Sequence, residues 1–261
     1  MKCEIVNPQT TNDQTRAVSS FPFHVSHTDT SLPRVLLAAP ISRNKEYILR
    51  DWLQHISGLT YPAYDIFLVD NSPDEGFHQE VWSWGYKCGY CPPKGKRAPA
   101  FIAESQNMLR KHFLQNDYDY YFSLECDNFP PLNIIELLLS YRSDNINVPY
   151  FLKQGAHTTL GVQLSVINYQ GWCANKVMAP YESIAAFDGR VKRYFAPSIG
   201  CSLFSRRLMQ RLQFRADASN PMAFSDSFWH MDSNRIGIKP LVHMGVLCEH
   251  RRFTWKYNKD L

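Results

Sequence analysis

From about residue 33 onward, short apolar runs alternate with amphipathic stretches, and that rhythm predicts an α/β fold. Arg34-Val35-Leu36-Leu37-Ala38-Ala39 reads as a strand buried on both faces, ended by Pro40. Asn44 suits the N-cap of a helix to about Ser57, with Ile48, Leu49, Trp52, Leu53 and Ile56 on one stripe and Gly58 as the stop. Tyr64 to Val69 is a second buried strand, ending in Asp70-Asn71-Ser72-Pro73. Phe77 to Trp84 then suits a short helix, and Gly85 to Pro93 a strand and turn. Ala98 to Gln115 is a longer helix with Ile102, Leu109 and Phe113 among its apolar positions, and it delivers the chain to a strand beginning near Tyr118. Pro130-Pro131 suits the start of a helix with Ile134, Ile135, Leu138 and Leu139 on its apolar face. Such alternation of strand and helix predicts a largely parallel sheet with covering helices.

The second half is less regular. Val148 to Leu152 and Gly161 to Asn168 read as strands, and the surroundings of Trp172, Tyr181 and Tyr194 as loops. Gly200 to Phe204 is another buried strand, after which Ser205 caps a basic helix holding Arg206, Arg207 and Arg211. Ser225 to Arg235 reads as a helix stopped at Gly237, and a closing strand, Leu241 to Leu247, leads on to His250. Residues 1–32 are polar and aperiodic, a tail or surface arm; residues 33–250 form the single folded domain; residues 251–261 are a basic tail.

Composition changes this picture little. A chain of 261 residues, 44% hydrophobic and 20% charged, is long enough for a full α/β core. A net charge of +4 and a pI near 8.6 are compatible with phosphorylated ligands or nucleic acid and require neither. No apolar run has the length of a transmembrane helix, and the polar start is unlike a signal peptide. Seven cysteines in no regular framework suit reduced thiols, so a cytoplasmic setting is expected. Cys88-Gly89-Tyr90-Cys91 has the spacing of half a zinc site but lacks a second pair.

The candidate chemistry centres on YDYYFSLECDNFPP, residues 118–131. Continued as a strand, this segment places Glu125 and Asp127 on one face and Cys126 on the other. Ligands of open α/β sheets sit beyond the carboxyl ends of strands, so two acids there suggest a divalent cation and an anionic ligand. A solvated strand end is the plainer reading of the same pair.

The chain resembles nucleotide-sugar glycosyltransferases of the GT-A fold, near the large inverting family, over about Pro33 to His250. The similarity is carried by RVLLAAPISRNKEYILRDWLQHI, IFLVDNSPD, the segment ending in SLECDNFPP, GCSLFSRRLMQRLQF and FSDSFWHMDSNRIGIKPLVHMGVLCEH. Two departures stand out: Glu125 begins the acid-x-acid motif where the family has Asp, and Ser225-Asp226 replaces an acidic pair. The resemblance implies a Rossmann-like, mostly parallel sheet flanked by helices, with residues 33–131 as nucleotide-binding half and 132–250 as acceptor half. It implies a Mn²⁺ or Mg²⁺ ion held by Asp127 and His250 with Glu125 reaching the metal or the ribose. It implies a UDP-sugar donor contacted by Pro40, Asp70 and Arg97, and Asp226 as the catalytic base, with Asp232 as its nearest competitor. Plainer roles exist for several of these: a turn-capping Asp70, a solvated Arg97, a surface His250, an N-capping Asp226.

The expected activity is transfer of a sugar, with inversion, from a nucleotide-sugar to an acceptor hydroxyl on a glycan or on a hydroxymethylated base in duplex DNA. For the DNA acceptor the relevant cations are Arg206, Arg207, Arg211, Arg215, Arg251, Arg252 and Lys256, with Trp172 or Trp255 to receive a flipped base. A non-catalytic nucleotide- or glycan-binding module of the same fold is the rival class. A nucleotidyltransferase is a third, disfavoured because no Gly-rich loop follows the first strand.

Overall fold

A computed structural model of the chain describes residues 31–152, 161–167, 173–177, 188–193, 197–220, 223–246 and 248–251. The N-terminal arm to residue 30, the loops at Trp172, Tyr181 and Tyr194, and the tail from Arg252 lie outside the described residues. In chain order the first elements are β1 (Val35–Ile41), α1 (Glu46–Ile56), β2 (Tyr64–Asp70), α2 (Gly76–Ser83), β3 (Cys88–Tyr90), α3 (Ala98–Gln115) and β4 (Tyr120–Leu124). Next come β5 (Asn128–Phe129), α4 (Ile134–Ser140), β6 (Asn145–Asn147), β7 (Phe151–Leu152), β8 (Gly161–Ile167), β9 (Cys173–Val177) and β10 (Val191–Arg193). The chain ends through β11 (Cys201–Ser205), α5 (Arg206–Arg211), α6 (Ser225–Arg235), β12 (Leu241–His243) and β13 (Glu249–His250).

Eight strands form the main sheet in the order β10-β12-β6-β11-β4-β1-β2-β3. All run in one direction except β11 and β10, which are antiparallel to their neighbours. The near-continuous apolar runs follow from coverage on both faces. In β1, Val35, Leu37, Ala39 and Ile41 enter the core beneath α1, α2 and α4, while Leu36 and Ala38 enter the core formed with α3, α5 and α6. β4 divides in the same way, with Phe122 and Leu124 on the first face and Tyr121 on the second. The α1 stripe is buried as the periodicity predicts, with Ile48, Leu49, Trp52, Leu53 and Ile56 all in the core.

Several expectations are corrected. Pro40 does not end β1: the strand continues to Ile41, and Pro40 pairs with Val69. The Ile41 carbonyl accepts from Asn71 N at 2.9 Å on the β2 side, so residue 40 turns its backbone toward β4, whose pairing ended at Ala38. Proline's missing N–H therefore breaks no ladder bond. Asn44 is not a cap; a 3₁₀ turn, Arg43–Lys45, leads into α1, and Lys45 stands at its N-cap without a side-chain capping bond. The helix after Pro130-Pro131 begins only at Ile134. The closing strand expected over Leu241 to Leu247 is shorter: β12 ends at His243, the chain turns at Met244-Gly245, and His250 belongs to β13, which pairs with β5. The sequence reading missed β6 altogether. Its Asn145 and Asn147 are fully buried, and hydrogen bonds to Ser233, Ser202 and the Leu241 carbonyl satisfy them.

Candidate active site

Because β1, β2 and β4 are parallel, their carboxyl ends converge on one edge, and the candidate residues gather there. The acids do not lie on the strand. β4 stops at Leu124, and a turn closed by Asn128 N to Glu125 O at 2.9 Å carries residues 125–128. This turn is anchored by three further hydrogen bonds. Glu125 N donates to Gly200 O at 2.8 Å, Asn128 Nδ2 donates to the same carbonyl at 2.9 Å, and Trp52 Nε1 donates to Asn128 O at 3.1 Å. Gly200 is required at this approach: a Cβ would meet Asn128 Nδ2 at 2.6 Å and Tyr150 Oη at 2.7 Å.

His250 arrives from the far end of the chain. The β13–β5 ribbon pairs it with Asn128, and Arg251 N donates to Asp127 O at 2.8 Å. Its Nε2 consequently lies 3.1 Å from Asp127 Oδ2, and ligand atoms of Glu125, Asp127 and His250 all fall within 4.8 Å of one another. Tyr150 packs its ring 5.1 Å from that of His250 and hydrogen-bonds Ser198. Among the described residues this is the one group of three that could hold a metal ion. It suits one: Asp127 is buried, its Oδ1 has no hydrogen-bond partner among the described residues, and mixed carboxylate and imidazole donors match Mn²⁺.

Lys45 is the residue that sequence reasoning passed over. Its ammonium bonds Asp127 Oδ2, the oxygen that also faces His250. A lysine just before an amphipathic helix carries no signal of its own, because only the turn after β4 brings the acid to it. Burial works against ionisation of Asp127, but the His250 bond and the Lys45 charge overcome it and hold its pKa well below the carboxylate range. For Lys45, burial is likewise outweighed by Asp127, and the pKa rises. Burial and the neighbouring Asp127 push Glu125 up. Glu125 reaches solvent although protein crowds around it, as a residue lining a concave site does.

Asp226 occupies the first turn of α6, half-buried, with Oδ1 accepting from Ser227 N at 2.7 Å; the N-cap position belongs to Phe224. Burial raises its pKa, and it is close enough to the acid cluster for its charge to contribute to raising Glu125 and Tyr150. Asp232, by contrast, is held by Arg215 through two bonds of 2.7 and 3.1 Å and by Arg235. The exposed Phe224 lies two residues before Asp226, with the buried Ser225 between them.

Asp70 caps its turn with one carboxylate oxygen and leaves the other unused among the described residues. Oδ1 accepts from Ser72 N at 2.9 Å and Ser72 Oγ at 2.6 Å, capping the turn, while the buried Oδ2 has no partner among the described residues. Arg43 N in turn donates to Ser72 Oγ at 2.8 Å, tying the loop after β1 to the loop after β2. Pro40 is half-buried in β1, and Arg97 is exposed at the N-cap of α3. The cysteines at 88, 91, 126, 201 and 248 are free thiols, with Cys88 pushed up to about 12 by burial. Trp82 donates Nε1 to Cys88 O at 2.7 Å, and Trp84 stacks on Arg50 at 4.0 Å.

No protein-family model matches the sequence, and no curated protein is similar to it in sequence. Solved structures are similar in fold. GalNAc-T7 with UDP, GalNAc and Mn²⁺ superposes at a TM-score of 0.60 with 12% identity, covering 86% of this chain and 45% of that one. The mannosyltransferase PcManGT from Pyrobaculum calidifontis, in complex with GDP-Man and Mn²⁺, gives 0.56 and 16%, covering 90% and 62%. S. aureus TarS with UDP gives 0.51 and 11%, covering 83% and 60%. The chain spans less than two thirds of the length of each of these structures. Parallel sheet, flanking helices and these likenesses together give the chain the GT-A-type fold of nucleotide-sugar glycosyltransferases.

Proposed function

We propose that the protein is a metal-dependent glycosyltransferase that moves a sugar from a nucleotide-sugar to an acceptor hydroxyl with inversion. The observation that carries this is the convergence of Glu125, Asp127 and His250 at the carboxyl end of β4, with Asp226 close enough for its charge to act on Glu125. Asp127 and His250, with Glu125 beside them, would hold a divalent cation, which would supply charge neutralisation to the departing diphosphate. Asp70 accepts a hydrogen bond from the base or ribose through its unpartnered Oδ2. Asp226 takes the proton of the acceptor hydroxyl as that oxygen bonds to the anomeric carbon opposite the leaving diphosphate; its raised pKa makes it a stronger base. A UDP-sugar remains the expected donor, and the halves at 33–131 and 132–250 divide the work between donor and acceptor.

Of the two acceptor classes, we favour a glycan over duplex DNA. Arg206 donates to the carbonyls of Leu114, Asn116 and Tyr118, Arg207 pairs with Asp144, Arg215 with Asp232, and Arg251 with Glu249. Cations committed in this way are poor phosphate contacts. Calorimetry with UDP, GDP and their sugars, with and without Mn²⁺, tests the donor. Metal-dependent binding that disappears in Asp127→Ala and weakens in His250→Ala is the expected result. Affinity indifferent to Mn²⁺ and to both substitutions removes the metal site. Steeply salt-dependent binding of hydroxymethylated duplex DNA, lost on truncation after His250, reverses the choice of acceptor.

A further inference from the structure

We propose that Lys45 and the metal ion exchange places on Asp127: the ammonium neutralises the acid while the donor is absent, and passes to the donor's diphosphate when the metal–nucleotide complex enters. The second half rests on the glycosyltransferase reading; the first does not. Lys45 is badly placed for its helix, since a cation at an N-cap opposes the helix dipole and it makes no capping bond there. Its position is explained by Asp127, whose Oδ2 accepts its ammonium. That carboxylate is almost entirely buried while the lysine side chain is about a third exposed, 1% against 34%. One end of the pair is therefore enclosed by protein, and the other reaches solvent.

Charge decides the order of events. Glu125 and Asp127 are two acids at close range, and Lys45 neutralises Asp127. A divalent cation within the same cluster would sit a few ångströms from the ammonium, a repulsion large enough in a partly dehydrated site to weaken metal binding. The diphosphate reverses this balance, because its own charge accommodates both cations. Lys45 stands on the turn directly after β1, the strand end beside the Asp70 turn, so the ammonium and the donor pocket share one edge of the sheet. Metal alone is thus held weakly, and metal with nucleotide is held well.

The test is a Mn²⁺ titration of the nucleotide-free protein, followed by UDP and GDP titrations at saturating Mn²⁺, for wild type, Lys45→Met and Lys45→Arg. Lys45→Met should bind Mn²⁺ more tightly by about tenfold or more, the order expected when a like charge leaves a partly screened site, and bind the diphosphates more weakly. Lys45→Arg, which keeps the charge, should retain the weak Mn²⁺ binding of wild type. Unchanged or weaker Mn²⁺ binding in Lys45→Met, or an arginine variant that behaves like it, overturns the counter-ion role. Tighter Mn²⁺ with unchanged diphosphate affinity overturns the exchange. Should wild type bind neither nucleotide at saturating Mn²⁺, the exchange fails together with the glycosyltransferase reading, whereas the Mn²⁺ comparison still decides the counter-ion role by itself.

Discussion

At the scale of single residues, the site works through contrasts between acids that the sequence presents as equals. Asp127 is buried beside His250 and a lysine, and stays ionised. Asp226 is half-buried and accepts a hydrogen bond from Ser227 N, and burial raises its pKa. Asp232 is consumed by two arginines. A base acts mainly in the transition state, so Asp226→Asn should lower kcat by about 10²–10⁴-fold and leave UDP affinity nearly unchanged. Steady-state kinetics beside calorimetry on the same variant checks this, and normal turnover would mean another carboxylate is the base. Asp226 was singled out only through the resemblance, because a short acid in the first turn of a helix carries no catalytic signal of its own. Lys45 was not legible, because its meaning depends on a partner 82 residues away.

At the scale of elements, boundaries were legible wherever local chemistry sets them. Ser205 ends β11 and caps α5 by accepting from Leu208 N at 3.2 Å, as its position before a basic helix implies. The same hydroxyl donates to Asp144, which also holds Arg207. Ser205→Ala should therefore cost about 0.5–2 kcal/mol of stability, toward the upper end because two bonds are lost. Urea unfolding measures it, and nucleotide affinity should stay unchanged because this end of the sheet lies opposite the site. Elements with contrary chemistry were illegible. β6 is a polar strand in a buried position, made tolerable by side chains from β11 and α6 and by the Leu241 carbonyl of β12. The acid turn after β4 looked like more strand because nothing local marks it; Gly200, Trp52 and the ribbon with β13 hold it.

At the scale of the whole molecule, burial of polar groups between layers links folding to pH. His230 on α6 is fully buried beneath the sheet, and burial alone pushes its pKa down to about 3. Its unfolded value is near 6.5. The unfolded chain therefore binds a proton that the folded chain refuses, so the contribution is fully present above about pH 6.5 and is lost as pH falls toward the folded value near 3. Unfolding followed between pH 7 and pH 4 should show stability falling across that window. His230→Gln should flatten the fall, and an unchanged slope would place the proton uptake elsewhere.

The sequence by itself determined the layers, because near-continuous apolar strands and striped helices have only one economical arrangement, a mostly parallel sheet covered on both sides. It also determined where the acids fall, at the carboxyl end of the central strand. The tertiary structure decided which of them form a site. Asp127 meets His250 only because β13 pairs with β5 across more than a hundred residues, and meets Lys45 only because β1 and β4 are parallel neighbours. Strand period and helix stripe are local, so they can be read along the chain. A cluster of charges is defined by distance in space, which no local pattern encodes.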